Sequence, residues 1–156
     1  MWQRSPLIYC KPSARYYSAA ERQLDREKGS ISLTSVQARL LQCLYLLAQS
    51  RINHCWSLFG TVTRLAIAIG LHRRDRRLDA VTKTDNEYRR RCFWSAYTLD
   101  TFLSAALGRP RSFHDDDIDA TLPTTTEDHE LAVNSTGNSS MGKGQTIMLA
   151  PLAHIK

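Results

Sequence analysis

The sequence lacks several features that would place it in common protein classes. No apolar run approaches the roughly 18 residues that cross a bilayer, and residues 1–17 lack the apolar centre of a signal peptide. The four cysteines, Cys10, Cys43, Cys55 and Cys92, include no C-x-x-C pair, which argues against a zinc or redox site. We therefore expect a soluble, intracellular protein with no membrane partner, whose cysteines are buried free thiols.

Acidic residues are fewer than basic ones, 15 against 21, which gives a net charge of +6. Two arginine clusters carry much of the excess and could face nucleic acid or an acidic partner as a basic surface. A solvated loop and a solvated first helical turn are the preferred interpretation, because the first cluster lacks the interleaved aromatic residues of single-strand binders. The clusters are Arg73, Arg74, Arg76 and Arg77, and then Arg89, Arg90 and Arg91.

The sustained period-two alternation of half-buried strands beside hairpin turns is also missing. Apolar residues recur instead at spacings of three and four, and the links between such segments are short. The sequence therefore predicts an all-α fold, an array of antiparallel packed helices. Segment 34–49 is apolar on most sides, so we expect it to be mostly buried. The predicted helices are 13–27, 34–49, 53–70 and 85–107.

Several residues mark predicted helix ends. Thr34 with Gln37, and Thr84 with Glu87, have the spacing of a capping box, in which two side chains satisfy backbone N–H groups of the first turn. Gly70 fits the left-handed position that follows a helix.

A single carboxylate, Asp100, lies within the apolar part of segment 85–107, with no basic residue three or four positions away. A buried carboxylate without a partner costs several kcal/mol or takes up a proton, so its partner must come from elsewhere. We predict Arg109, because Gly108 lets the chain reverse and Pro110 fixes its direction. A structural anchor for the following loop is preferred over a ligand-facing acid, since one carboxylate makes no catalytic constellation.

Five aromatic residues are candidates to line either the hydrophobic core or an effector pocket. Aromatic residues at helical spacing usually pack against neighbouring helices, so a core is the preferred interpretation. An effector pocket would predict saturable binding of a small apolar metabolite. The residues are Trp56, Phe59, Phe93, Trp94 and Tyr97.

Catalytic and metal-binding motifs are incomplete. The stretch GNSSMGKG places Gly144 where a phosphate-binding loop needs Ser or Thr, and HELAV places Val133 where a zinc protease needs a second histidine. No Ser-His-Asp or Cys-His grouping is discernible from spacing. We therefore predict that the chain is not an enzyme and has no catalytic residues, metal ligands or cofactor.

Four motifs occur in the order and at the spacing of a known family: GLHR, RRRCFWSAYTLD, LGRPRSF and DDDIDATLP. With them, residues 30–123 resemble the fungal-specific transcription factor regulatory domain, the middle homology region of fungal zinc-cluster regulators, also called the xylanolytic-activator regulatory domain. The resemblance implies an all-helical, non-catalytic module of a nuclear transcription factor. In typical members it follows a DNA-binding zinc cluster and restrains transcriptional activity or responds to metabolites.

The scattered cysteines do not form the family's zinc cluster. Zinc and DNA are therefore expected only through a DNA-binding domain outside this chain. Transcriptional co-regulators, a small-molecule effector and a second copy of the chain are the other expected partners. The alternative is a stand-alone helical module that binds a protein or a small ligand. A zinc cluster encoded in frame upstream would favour the regulator.

Composition divides the chain into segments. Residues 1–29 are interpreted as an N-terminal helical segment, and 30–123 as a partial regulatory domain. The polar, glycine-containing residues 124–146 predict a flexible linker. Apolar residues resume at 147–156, interpreted as the start of a truncated helix. We therefore expect an incomplete domain that exposes an apolar face.

Overall fold

The computed structural model describes residues 11–27, 29–74 and 83–124. Within these ranges the all-α prediction is confirmed, because the only regular elements there are helices. None of the described helices is long and apolar enough to cross a membrane. The elements are α1 Lys11–Asp25, α2 Leu33–Ala48, α3 Ile52–Ala68, α4 Lys83–Leu107 and a short 3-10 helix, Asp115–Asp117.

Some predictions concern residues outside the described ranges. They are the side chains of Cys10, Arg76 and Arg77, the two incomplete motifs that end at Val133 and Gly144, and the linker and terminal segments beyond residue 124.

The core lies between α2, α3 and α4. A three-residue link joins α2 to α3, and these two helices make the most extensive contact in the fold. Helix α4 packs on both of them, while α1 contacts α2. The fully buried positions recur at three and four along each helix, as a single buried face requires. They include Val36, Cys43 and Leu46 of α2, Cys55, Phe59, Val62 and Ala66 of α3, and Phe93, Ala96 and Leu103 of α4.

The cysteines in the described ranges are Cys43, Cys55 and Cys92, and each is buried and free, as predicted. Burial raises the pKa of the Cys92 thiol to about 11, so this thiol is protonated at neutral pH. Protonated, enclosed thiols act as small apolar side chains rather than as nucleophiles.

The end of α3 follows the predicted glycine signal. Gly70 has φ 71°, and its N–H donates to the carbonyl of Ile67 at 3.0 Å. The next N–H, that of Leu71, donates to the carbonyl of Ala66 at 2.9 Å, and the Leu71 side chain is buried. This is the pattern in which a left-handed glycine closes a helix and the following apolar residue folds back on it.

The start of α2 differs from the prediction. Helix α2 begins at Leu33, and its N-cap is Ser32, whose Oγ accepts a hydrogen bond from the N–H of Ser35 at 3.1 Å. The capping box of Thr34 and Gln37 is therefore wrong. A hydroxyl two positions earlier already meets the free N–H, which leaves Thr34 inside the first turn.

Helix α2 is also less buried than predicted. The side chains of Leu41 and Leu44 are 66% and 53% exposed, because they point away from the face that packs on α3 and α4. Helix α1 covers an adjacent part of α2, where the rings of Tyr17 and Tyr45 stack with their centres 4.7 Å apart. A face with two exposed leucines remains beside this contact.

Candidate functional site

Asp100 lies within α4 and is 2% exposed. Its Oδ2 accepts hydrogen bonds from the backbone N–H groups of Ser112 at 2.9 Å and Phe113 at 3.0 Å. Its Oδ1 accepts a longer one from Ser112, at 3.2 Å. These donors belong to the segment after α4, where the chain reverses at Gly108 with φ 63°. Hydrogen bonds to an ionised group contribute about 1.5–3 kcal/mol each, so this contact fixes the returning chain.

The predicted pairing of Asp100 with Arg109 is wrong. The Nη2 of Arg109 donates to Oδ1 of Asn53 at 3.0 Å, and its guanidinium lies 4.2 Å from the ring centre of Trp56. Both contacts are on α3, at the half-exposed edge of the fold, where a guanidinium stays partly hydrated. The buried carboxylate is satisfied by main-chain donors instead. Arg109 thus ties the returning chain to α3, and Asp100 ties it to α4.

Glu87 is a second buried carboxylate of α4, and it is 1% exposed. Its Oε1 accepts from the Nε of Arg91 at 3.0 Å and from the backbone N–H of Thr124 at 2.9 Å. Its Oε2 accepts from the Nη2 of Arg90 at 2.5 Å. Burial by itself would raise the pKa of Glu87, but these hydrogen bonds and the charge of Arg90 hold the pKa below its usual value.

The capping box predicted for Thr84 and Glu87 is therefore wrong as well. Helix α4 already includes Lys83, so Thr84 lies within its first turn. The carboxylate of Glu87 is engaged by two arginines and by a distant backbone N–H rather than by its own helix start.

We call residues 109–124 the strap. Its contacts with α4 fall in reverse order: Asp100 meets Ser112, and Glu87 meets Thr124. Between these ends, Tyr97 meets Asp115, with the phenol oxygen 2.9 Å from Oδ1 of the carboxylate. The strap therefore runs antiparallel to α4.

Trp94 makes a further contact near the C-terminal end of the strap. The Nε1–H of Trp94 donates to the carbonyl of Thr121 at 2.9 Å, and the Nη1 of Arg90 donates to the Thr121 hydroxyl at 3.2 Å. Both donors come from α4, so they hold Thr121 next to the first half of that helix.

The strap also binds the turn after α3. The N–H groups of Asp119 and Ala120 both donate to the carbonyl of His72 at 3.1 Å. In return, Oδ1 of Asp119 accepts from the N–H of Arg74 at 2.9 Å. The strap thus links the end of α3 to α4, and it does so with main-chain groups that a sequence pattern does not reveal.

The five aromatic residues do not gather around one pocket. Phe59 and Phe93 are buried and contact Phe113 of the strap, at ring-centre distances of 6.5 Å and 5.3 Å. Trp94 and Tyr97 are partly buried beneath the strap, with ring centres 5.1 Å apart. These four surround the seam between α4 and the strap.

The fifth aromatic residue, Trp56, lies apart from this seam. Its side chain is 38% exposed, and its ring lies under the guanidinium of Arg109. The structure therefore assigns the predicted core role to Phe59 and Phe93, whereas Trp56 lies at the edge of the fold.

The arginines of the two predicted basic clusters lie in different environments. Arg91 is buried against Glu87, so its assignment to a basic surface is wrong. Arg89 is partly buried and donates from Nη2 to the carbonyl of Ile69 at 2.9 Å, at the end of α3. Arg73 and Arg74 are exposed.

Glu87 is a site residue that was not predicted as one from the sequence. A signal was present, because Glu87 precedes Arg90 and Arg91 by three and four positions, the spacing at which opposite charges meet on a helix. In the residues that the structure describes, no three His, Cys, Asp or Glu side chains are grouped as metal ligands would be.

Replacing Asp100 tests the attachment of the strap. The change Asp100→Ala leaves the N–H groups of Ser112 and Phe113 without an acceptor. We expect it to lower the free energy of unfolding by about 3 kcal/mol, measured by urea titration. The matched control is Asp116→Ala, at an exposed position of the 3-10 helix, which should change stability by less than about 0.5 kcal/mol. Equal losses in the two variants would contradict the attachment.

Glu87 should make stability depend on acid pH. A carboxylate whose pKa is lowered by folding stabilises the fold above its unfolded pKa of about 4.3, and this contribution is lost as pH falls through the folded pKa. The stability difference between the wild type and Glu87→Gln should thus be largest near pH 7 and shrink below about pH 4.

Urea unfolding between pH 3 and pH 7 measures this difference. Glu21→Gln, an exposed change on α1, serves as the control and should follow the wild type at every pH. A difference between wild type and Glu87→Gln that stays constant with pH would show that the carboxylate contributes no charge-dependent stability.

The sequence of this chain is similar to those of known fungal transcription regulators. A family model described as the fungal specific transcription factor domain matches residues 5–156. The chain is 32% identical over 117 residues to Activator of stress genes 1 of Saccharomyces cerevisiae, covering 75% of this chain and 12% of that protein. It is 34% identical over 142 residues to the transcriptional regulatory protein C3C7.04 of Schizosaccharomyces pombe, covering 88% and 18%.

Transcription factor FBD3 of Gibberella moniliformis is 42% identical over 91 residues, which is 57% of this chain and 12% of that protein. The chain thus spans between 12% and 18% of the lengths of these relatives. No solved structure matches it. The matched range is wider than the predicted 30–123, and the resemblance is confirmed: this chain belongs to the family of fungal specific transcription factor domains.

Proposed function

We propose that this chain is a regulatory, non-catalytic part of a fungal transcription regulator, and that the strap is the element through which it responds. The observation that carries the proposal is the attachment of the strap at both ends by buried carboxylates of α4. We propose that the strap has two arrangements, attached and released, as in other proteins that switch by ordering and disordering a segment. A partner or effector that binds one of them better shifts the population toward it.

The chemistry of the buried acids supports a non-catalytic role. Asp100 accepts main-chain hydrogen bonds, and Glu87 is shared between two arginines and a main-chain N–H. Both carboxylates are therefore engaged within the fold. A general acid or base would have to face a substrate within hydrogen-bond reach.

The family, and the names of the relatives, support a role in the regulation of transcription. Those names describe a transcription factor and an activator of stress genes. We propose that the chain acts in the nucleus. DNA would be bound by a zinc-cluster domain outside it, and zinc would belong to that domain. Co-regulators, a small-molecule effector or a second copy of the chain would bind here.

One observation favours the alternative of a stand-alone interaction module. Leu41 and Leu44 expose neighbouring apolar side chains on α2, and such patches often contact other proteins. The gene decides between the two proposals. A zinc cluster encoded in frame upstream supports the regulator, whereas a gene without one supports the module.

A reporter assay tests the regulatory role. The chain is inserted between a heterologous DNA-binding domain and an activation domain in a fungal cell. We expect reporter transcription to change at least about fivefold relative to the fusion without the chain, the lower range of usual coupling energies. Asp100→Asn should move the output toward that of the fusion without the chain, because the strap is released more often.

Asp116→Asn is the matched control and should behave as the wild-type chain, with protein levels compared by immunoblot. An output that is the same with and without the chain, at equal protein levels, would contradict a regulatory role.

A further inference from the structure

A concave site lies where the turn after α3, the first turns of α4 and the end of the strap meet. It encloses about 190 Å³. All three parts of the chain are tied together here by the hydrogen bonds of the strap, so the walls belong to one folded unit. The polar lining residues are Arg73, Arg74, Arg89, Arg90, Asn86 and Thr121.

Positive charge dominates this site. Four arginines line it, and two described acids are engaged elsewhere: Glu87 binds Arg90 and Arg91, and Asp119 accepts the backbone N–H of Arg74. Within residues 11–27, 29–74 and 83–124, the guanidinium groups of Arg73 and Arg74 form no ion pair. Like charges around one concavity repel each other, and a bound anion would relieve that repulsion.

Two of the four arginines are held in place. The Nη2 of Arg89 is fixed on the carbonyl of Ile69, and Arg90 is fixed between Glu87 and Thr121. The Nε of Arg90 is buried and has no hydrogen-bond partner in the described part of the chain. A buried donor without an acceptor costs about 1–3 kcal/mol. The wall of the site therefore contains arginine side chains that are positioned in advance, which lowers the cost of binding an anion.

We propose that this site binds the terminal phosphate group of a small phosphorylated molecule. The planar guanidinium group matches the oxygens of a phosphate, which it can hold through two parallel hydrogen bonds. Pockets for whole drug-sized ligands enclose about 300–1,000 Å³. The smaller volume here suits a phosphate group, with the rest of the molecule outside. A concave site also suits a terminal phosphate better than the continuous backbone of duplex DNA.

This inference gives a ligand class to the effector response proposed above. Only the regulatory role of the ligand rests on the proposed function, because ligand binding can be measured on the isolated chain. The strap supplies Thr121 to the site, so a ligand here would favour the attached arrangement of the strap.

Isothermal titration calorimetry of the 156-residue chain tests the site, with inorganic phosphate and glycerol 3-phosphate as probes at constant ionic strength. We expect saturable binding of both probes. The double variant Arg73→Gln/Arg74→Gln should bind at least about tenfold more weakly. Its melting temperature should equal that of the wild type, since both side chains are exposed.

The charge-matched control is Arg15→Gln/Arg22→Gln, two exposed positions on α1, which should bind the probes as the wild type does. Equal affinity in wild type and Arg73→Gln/Arg74→Gln would overturn the inference, as would equal weakening in both double variants. A short duplex DNA that binds more tightly than glycerol 3-phosphate, and that displaces it, would assign the phosphate to nucleic acid and overturn the small-molecule assignment. The reporter assay is independent, so either result can fail without the other.

Discussion

A buried carboxylate that accepts main-chain hydrogen bonds decides where the chain goes after α4. Two N–H groups of the returning segment meet Asp100, and one of them belongs to Phe113, whose ring packs on Phe59 and Phe93. Polar and apolar contacts therefore depend on each other: the ring enters the core only where its own N–H has an acceptor. Breaking the polar contact would leave an unmet donor beside the core, which is more costly than losing a surface hydrogen bond.

The second carboxylate extends this constraint along α4. Glu87 holds Thr124, Asp100 holds Ser112, and the strap between them links the turn after α3 to α4. The arginine-lined site is built by the same arrangement, because Thr121 of the strap forms part of its wall. Release of the strap would open that site, and a ligand in the site would oppose release. The proposed site and the strap share Thr121, so that ligand binding and release of the strap would be coupled, as the proposed regulation requires.

Sequence patterns predicted the elements whose causes are local. Helical spacing gave the four helices to within a few residues, and Gly70 marked the end of α3 because a left-handed position favours glycine. Sequence patterns failed where the hydrogen-bond partner of a side chain is a backbone group far along the chain. Spacing identified Asp100 as a residue that needs a partner, but it proposed Arg109, since side chains are visible in a sequence and main-chain donors are not. Exposure of Leu44 was missed because periodicity shows that a face is apolar, not which neighbour covers it.

Amide hydrogen exchange at Ser112 and Phe113, followed by NMR, tests the central interaction most directly. If the carboxylate of Asp100 holds the strap, both amides exchange much more slowly than in an unstructured peptide, through openings that cost less free energy than global unfolding because the strap is released while the helices stay folded. Exchange of these two amides at the rate of an unstructured peptide, while core amides of α4 stay protected, would show that the strap is not held and would contradict the account.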